Sequence, residues 1–224
     1  MNKSLKFIVL IGFILLSQAA FAGLFEDFYQ AVRFNDVRLT QRLLDRGMDP
    51  NTVSPEGIPL AQVAIQNGAT DTARLLIDQP RFKTELRNAQ GETALMLAAL
   101  KGQWTVVQAL LAREADINMP GWTPLHYAAT GGHERIVALL LDQSAYIDAE
   151  SPNGSTPLMM AAMYGNEATV KRLIESGADL TIRNQKGMTA LDFAESVQHP
   201  GHARLIREAL NASKSATTSV PGQW

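Results

Sequence analysis

Apolar residues recur along this chain with helical spacing, in short bursts. Val107, Leu110 and Leu111 stand at i, i+3 and i+4; Val137, Leu140 and Leu141 repeat the pattern, as do Val170, Leu173 and Ile174, and Ala73, Leu76 and Ile77 give a weaker copy. Each burst predicts a short helix with one buried stripe and a polar opposite face. One such helix cannot cover its own stripe, so neighbouring helices must stack. Ahead of each burst lies a second segment of apolar and small residues: "IPLAQVAIQN", "ETALMLAALK", "WTPLHYAATG" and "STPLMMAAMY". Thr123 and Thr156 suit helix N-caps there, and Pro124 and Pro157 fall at the first helical position, where a missing N–H costs nothing. The pairs Ala98-Ala99, Ala128-Ala129 and Ala161-Ala162 let adjacent helices approach closely. The pattern is a helix–turn–helix unit repeated along the chain.

Glycines set its period. Gly57, Gly91, Gly121, Gly154 and Gly187 follow one another at steps of 34, 30, 33 and 33, and a second glycine stands eleven residues after the first at Gly68, Gly102, Gly132 and Gly165. Gly102, Gly132 and Gly165 are expected to be the left-handed residues that end a short helix. The stripes lead into the turn-rich segments "RGMDPN", "READIN", "QSAYID" and "SGADLT". The short step to Gly121 predicts a clipped, rigid turn at Pro120; Pro80 predicts a local irregularity, and Pro200 must interrupt any helix reaching it.

These features resemble the ankyrin-repeat family, whose unit of 33 residues pairs a β-turn with two antiparallel helices and carries a Thr-Pro-Leu-His signature, present here at Thr123–His126. The resemblance implies an all-α solenoid of about six units with β-turn fingers. The units fall at 24–53, 54–87, 88–117, 118–150, 151–183 and 184–210, within a repeat domain of 23–210. The terminal units are degenerate, with Glu26, Asp27, Gln30 and Arg33 at one end and Arg204, Arg207 and Glu208 at the other facing water. The resemblance also implies that His126 hydrogen-bonds within the framework and that His133 belongs to a Gly-His pair capping the first helix. Both are then structural, although their spacing alone could suggest a catalytic pair. The positions matching His126 elsewhere are Gln62, Met96, Met159 and Asp192, so there is no histidine ladder.

Composition changes the picture at two points. With no cysteine, disulfides, thiolate metal sites and a cysteine nucleophile are excluded. Residues 1–22 form a secretory signal: two lysines in "MNKSLK", an apolar run "FIVLIGFILL" too short to span a bilayer comfortably, and the small-x-small triplet Ala20-Phe21-Ala22. Cleavage there starts the mature chain at Gly23 and leaves 18 basic against 22 acidic residues, with no basic run to attract nucleic acid or anionic membranes. The expected location is the periplasm; an uncleaved N-terminal membrane anchor is the alternative. His199 and His202 are expected at surface or capping positions. Ser151 and Ser155 lack a G-x-S-x-G elbow. No catalytic, cofactor or metal site is expected.

The resemblance implies a non-enzymatic module that binds another protein along a concave face made by turn tips and first helices. Residues that the framework leaves free are the candidates: Trp122, Leu100, Met163 and Tyr164, with Ile58 and Met188 at matching finger positions. Trp104 is expected to pack between repeats. If those side chains do not bind, the finger tips at Pro55-Glu56, Ala89-Gln90 and Pro152-Asn153 are the next surface. A secreted effector acting in a host cell is the alternative, whereas a repeat scaffold carrying an enzyme activity would need an acid/base or nucleophile constellation that is not found. The protein is expected to be a monomer, with a disordered tail over 211–224 in which Trp224 is simply the end of the chain, a docking anchor being the alternative.

Overall fold

A computed structural model describes residues 23–218; the expected signal at 1–22 and the end of the tail, with Trp224, lie outside the described residues. Its helices are α1 (residues 23–33), α2 (Val37–Asp45), α3 (Leu60–Gln66), α4 (Thr70–Ile77), α5 (Ala94–Leu100), α6 (Trp104–Ala112), α7 (Pro124–Thr130), α8 (Glu134–Asp142), α9 (Pro157–Tyr164), α10 (Glu167–Glu175), α11 (Ala190–Ser196) and α12 (Pro200–Thr218). The fold is an all-α repeat solenoid. By compactness the chain divides into two units, one running through Gly91 and the other from Glu92.

In the first unit α2 and α3 pack with α4 around Phe28, Leu43, Leu60, Leu76 and Ile77, all fully buried. The polar Thr72 is buried with them because its N–H donates to Asn35 Oδ1 at 3.0 Å and its hydroxyl lies 3.1 Å from the Val32 carbonyl. Asn51 ties one repeat to the next: its amide donates to the Arg81 carbonyl and its Oδ1 accepts from Lys83 N–H, both at 2.8 Å. Those bonds order the irregular segment around Pro80.

In the second unit the first helices α5, α7, α9 and α11 pack in one row, and α8, α10 and α12 in another. The alanine pairs of α5, α7 and α9 are wholly inaccessible, which is what lets the first row close up. Trp104 packs between repeats as expected, with the Arg135 guanidinium 3.8 Å over its ring. Asn118 repeats the Asn51 bridge, donating to the Ser144 carbonyl and accepting from Tyr146 N–H.

The fingers turn as their glycines require. Gly57, Gly91, Gly121, Gly154 and Gly187 all have φ between 73° and 88°, a region that costs an L side chain strain. Three residues before four of them stand Ser54, Asn88, Ser151 and Asn184, buried polar groups whose carbonyls accept the glycine N–H and whose side chains bond back into the finger.

Several expectations need correction. Gly102 and Gly132 are left-handed, but Gly165 is not: φ is −76° and ψ −151°. Here α9 extends through Tyr164, and glycine is needed for clearance, since a Cβ on Gly165 would meet the Ala129 carbonyl oxygen at 2.7 Å. The stripe Ala73/Leu76/Ile77 of α4 is fully buried as expected, but in α6, α8 and α10 the buried stripe is rotated by one residue. Val106, Ile136 and Thr169 are buried with Val107/Leu110, Val137/Leu140 and Val170/Leu173, while Leu111, Leu141 and Ile174 are only half-buried. A second helix packs against its own first helix as well as its neighbours, so the covered sector lies to one side of the sequence stripe. His202 takes the capping alternative rather than the surface one, buried with Nδ1 3.0 Å from the Ala162 carbonyl. Finally, α12 continues eight residues past 210 into the segment expected to be disordered, whereas Pro200 interrupts the chain as foreseen, at the start of that helix.

Leu140 is fully buried in the shared core of the second helices, so Leu140→Ala should cost about 2–5 kcal/mol of unfolding free energy in urea titration. A loss below about 1 kcal/mol would place Leu140 outside that core.

Candidate functional site

The first helices start on a reciprocal cap. Thr93, Thr123, Thr156 and Thr189 each accept the N–H of the residue three places on, and the side chain of that residue accepts the threonine N–H in return. Three residue types do this work: Met96 and Met159 through sulfur at 3.4 Å, His126 through Nδ1 at 3.2 Å and Asp192 through Oδ2 at 2.8 Å. What the position needs is an acceptor of the right reach, which explains why histidine does not recur there. The two bonds from Thr189 hold the Asp192 carboxyl below its ordinary pKa, with Arg183 adding to the effect.

His126 has no free nitrogen for chemistry. Nδ1 takes the Thr123 cap and lies 2.9 Å from the Thr123 hydroxyl, and Nε2 lies 2.9 Å from the Ser155 carbonyl in the next finger. A carbonyl only accepts, so Nε2 carries the proton and the ring is the neutral tautomer. Burial pushes its pKa down from 6.5 to about 4, against the carbonyl hydrogen bonds that act to raise it. His133 does not cap its own first helix: Nε2–H donates at 2.9 Å to the carbonyl of Leu100, the last residue of α5, so it caps the first helix of the preceding repeat. Asn166 and His202 reach back likewise, to the carbonyls of Gly132 at 2.8 Å and Ala162 at 3.0 Å.

With these groups absorbed by the framework, the candidates of the second unit gather on one side. Trp122, Met163, Tyr164 and Met188 line a cavity of about 390 Å³ with Met160, Phe193, Asn153, Ser155, Asn184, Lys186 and Ser196. Trp122 also walls a cavity of about 190 Å³ with Leu100, Tyr127 and Thr130. Its indole stands edge-on to the His126 ring, centroids 5.3 Å apart, so the framework fixes its pose. Tyr164 is 55% exposed, and Trp122, Leu100, Met163 and Met188 are half-buried. Ile58 lies in the finger of the first compact unit, half-buried, its carbonyl accepting from Ser54 N–H.

Sequence reasoning missed Tyr127, Met160, Phe193 and Lys186. Tyr127 follows the signature histidine directly, and its hydroxyl donates to Glu92 Oε1 at 2.9 Å; burial first, then Glu92, raises its pKa. Met160 stands one helical turn before Met163 on α9, the signal that could have found it. Among the described residues no three His, Asp or Glu side chains gather closely enough to hold a metal ion.

The sequence matches the family described as Ankyrin repeats (3 copies) over residues 28–120, 63–151, 120–184 and 143–218. The chain belongs to the ankyrin-repeat family. It is 36% identical over 95 residues to the rat (Rattus norvegicus) Ankyrin repeat and SAM domain-containing protein 6, a match covering 41% of this chain and 11% of that protein. It is 34% identical over 91 residues to the Notch-regulated ankyrin repeat-containing protein of Xenopus laevis, covering 38% of this chain and 80% of that one. A probable E3 ubiquitin-protein ligase of Oryza sativa is 33% identical over 123 residues, covering 52% and 24%. The chain thus spans only about a tenth of the rat protein and a quarter of the rice protein.

The His126 geometry predicts a pH dependence. An unfolded imidazole titrates near 6.5 and the folded one at about 4, so as pH falls the unfolded chain takes up the proton first. The stability held by neutral His126 is complete above pH 6.5 and is lost towards pH 4, by at most about 3 kcal/mol. In His126→Gln the slope of unfolding free energy against pH over this window should flatten. An unchanged slope would mean that His126 protonates freely in the fold.

Proposed function

We propose that this chain is a non-enzymatic, exported protein-binding module that holds a partner protein on the side of the solenoid formed by fingers and first helices. One observation carries the reading: Trp122, Met163, Tyr164 and Met188 converge on a single cavity, and Trp122 with Leu100 on a second beside it, although none of the five is wholly buried in the core. Aromatic and thioether side chains left half-covered in one contiguous patch are the usual anchors of a protein interface. Membership of the ankyrin-repeat family supports it too.

The absence of an enzyme activity is part of the proposal, and the engagement of both His126 nitrogens supports it, because the residue that most invited a catalytic role is a cap and a cross-repeat strut. Export rests on the pattern of residues 1–22, outside the described residues, and makes the periplasm the place of action. There the module works as a monomer that shields or positions a partner enzyme or envelope protein.

Binding and folding should separate. Trp122→Ala with Tyr164→Ala should leave helical content and melting temperature nearly unchanged while weakening a partner captured from periplasmic extract by about 2 kcal/mol or more. If the double variant melts far below the parent, these aromatics are core; if it captures the same partner with unchanged affinity, the binding face lies elsewhere.

A further inference from the structure

Building on that reading, the two cavities restrict what the partner presents. The smaller, about 190 Å³, is below the size of an ordinary ligand pocket and suits one aliphatic side chain. The larger, about 390 Å³, has room for an aromatic ring and a flexible methionine wall from Met160, Met163 and Met188 that can reshape around it. The indole of Trp122 separates them. One continuous peptide segment can fill both by placing two apolar side chains on either side of that indole.

The polar groups at the larger cavity decide the charge of that segment. Asn153 and Asn184 are already committed to their fingers: Asn153 Oδ1 accepts from the Ser151 hydroxyl and Ser155 N–H, and Asn184 Oδ1 accepts from Lys186 and Met188 N–H. Ser155 is buried, and its carbonyl is taken by His126. That leaves Lys186, the one charged residue lining the cavity. Its backbone N–H is pinned to Asn184, its side chain is exposed, and among the described residues no carboxylate forms an ion pair with it.

We infer that the partner presents a peptide segment in which a large apolar side chain, aromatic by preference, is followed closely by an aspartate or glutamate: the ring enters the larger cavity and the carboxylate pairs with Lys186. A smaller aliphatic residue of the same segment fills the cavity between Leu100 and Tyr127. The ion pair supplies charge selection at the rim, while the apolar anchors supply most of the affinity.

The test selects a phage-displayed library of random twelve-residue peptides on the full chain, on Lys186→Glu and on Trp122→Ala, and measures the recovered peptides by fluorescence anisotropy. The parent should enrich an aromatic residue with an adjacent Asp or Glu. Replacing that acid by lysine should weaken binding roughly fivefold, the size of a good surface ion pair. Lys186→Glu should reverse the preference to lysine or arginine, and Trp122→Ala should abolish enrichment. Aromatic peptides with no acidic bias that are lost on Trp122→Ala would overturn the charge selection and leave the binding face in place. Peptides indifferent to both substitutions, or no enrichment at all, would overturn the peptide occupant, while partner capture by the parent chain would still decide the wider reading on its own.

Discussion

The reciprocal cap at the start of each first helix is the constraint on which the second compact unit depends. A threonine and the residue three places later satisfy two backbone N–H groups that a short helix would otherwise leave to water. In a helix of seven or eight residues such a cap, worth about 1 kcal/mol, is a large share of local stability. It also has a geometric effect. Fixing the threonine in an extended conformation fixes the residue before it, so Trp122 and Met188 emerge at equivalent places beside the finger. The last turns of the same helices deliver Leu100 and Met163 to the same side. Folding chemistry and the candidate binding face therefore share one origin.

Stacking then passes this geometry along the chain. His126 bonds the finger ahead, while His133, Asn166 and His202 bond back to the repeat behind, so α7 is held from both directions and α5 and α9 by the repeat that follows each of them. The close approach these bonds need is possible only with small residues: a Cβ at Gly131 would meet the Leu100 carbonyl oxygen at 2.5 Å. Polar bonds set register and alanine and glycine set distance, leaving the larger apolar residues of the finger side free of framework duty.

Much of this was legible in the residues because it is local. The glycine period, Thr123 and Thr156 as caps, and the alanine pairs follow from conformational preference and size, which one sequence displays. What was not legible depends on a neighbour in space. Gly165 reads like Gly132, yet α9 runs one residue further and the glycine serves clearance from Ala129. The direction of the His133 bond, the burial of His202 and the side on which Val106 rather than Leu111 is covered are set by the adjacent repeat. Lys186 joined the site only when the finger carrying it was placed beside α9. The helical stretch at 211–218 escaped notice because its small polar residues carry no apolar period.

Native-state hydrogen exchange of the threonine amides tests the central claim most directly, since Thr93, Thr123, Thr156 and Thr189 donate their N–H groups to side chains rather than to the helical ladder. All four should exchange as slowly as the core amides of α5, α7, α9 and α11, opening only with the repeats themselves. Exchange at the rate of unbonded, solvent-exposed amides, with the helices still protected, would show that the caps do not hold the helix starts.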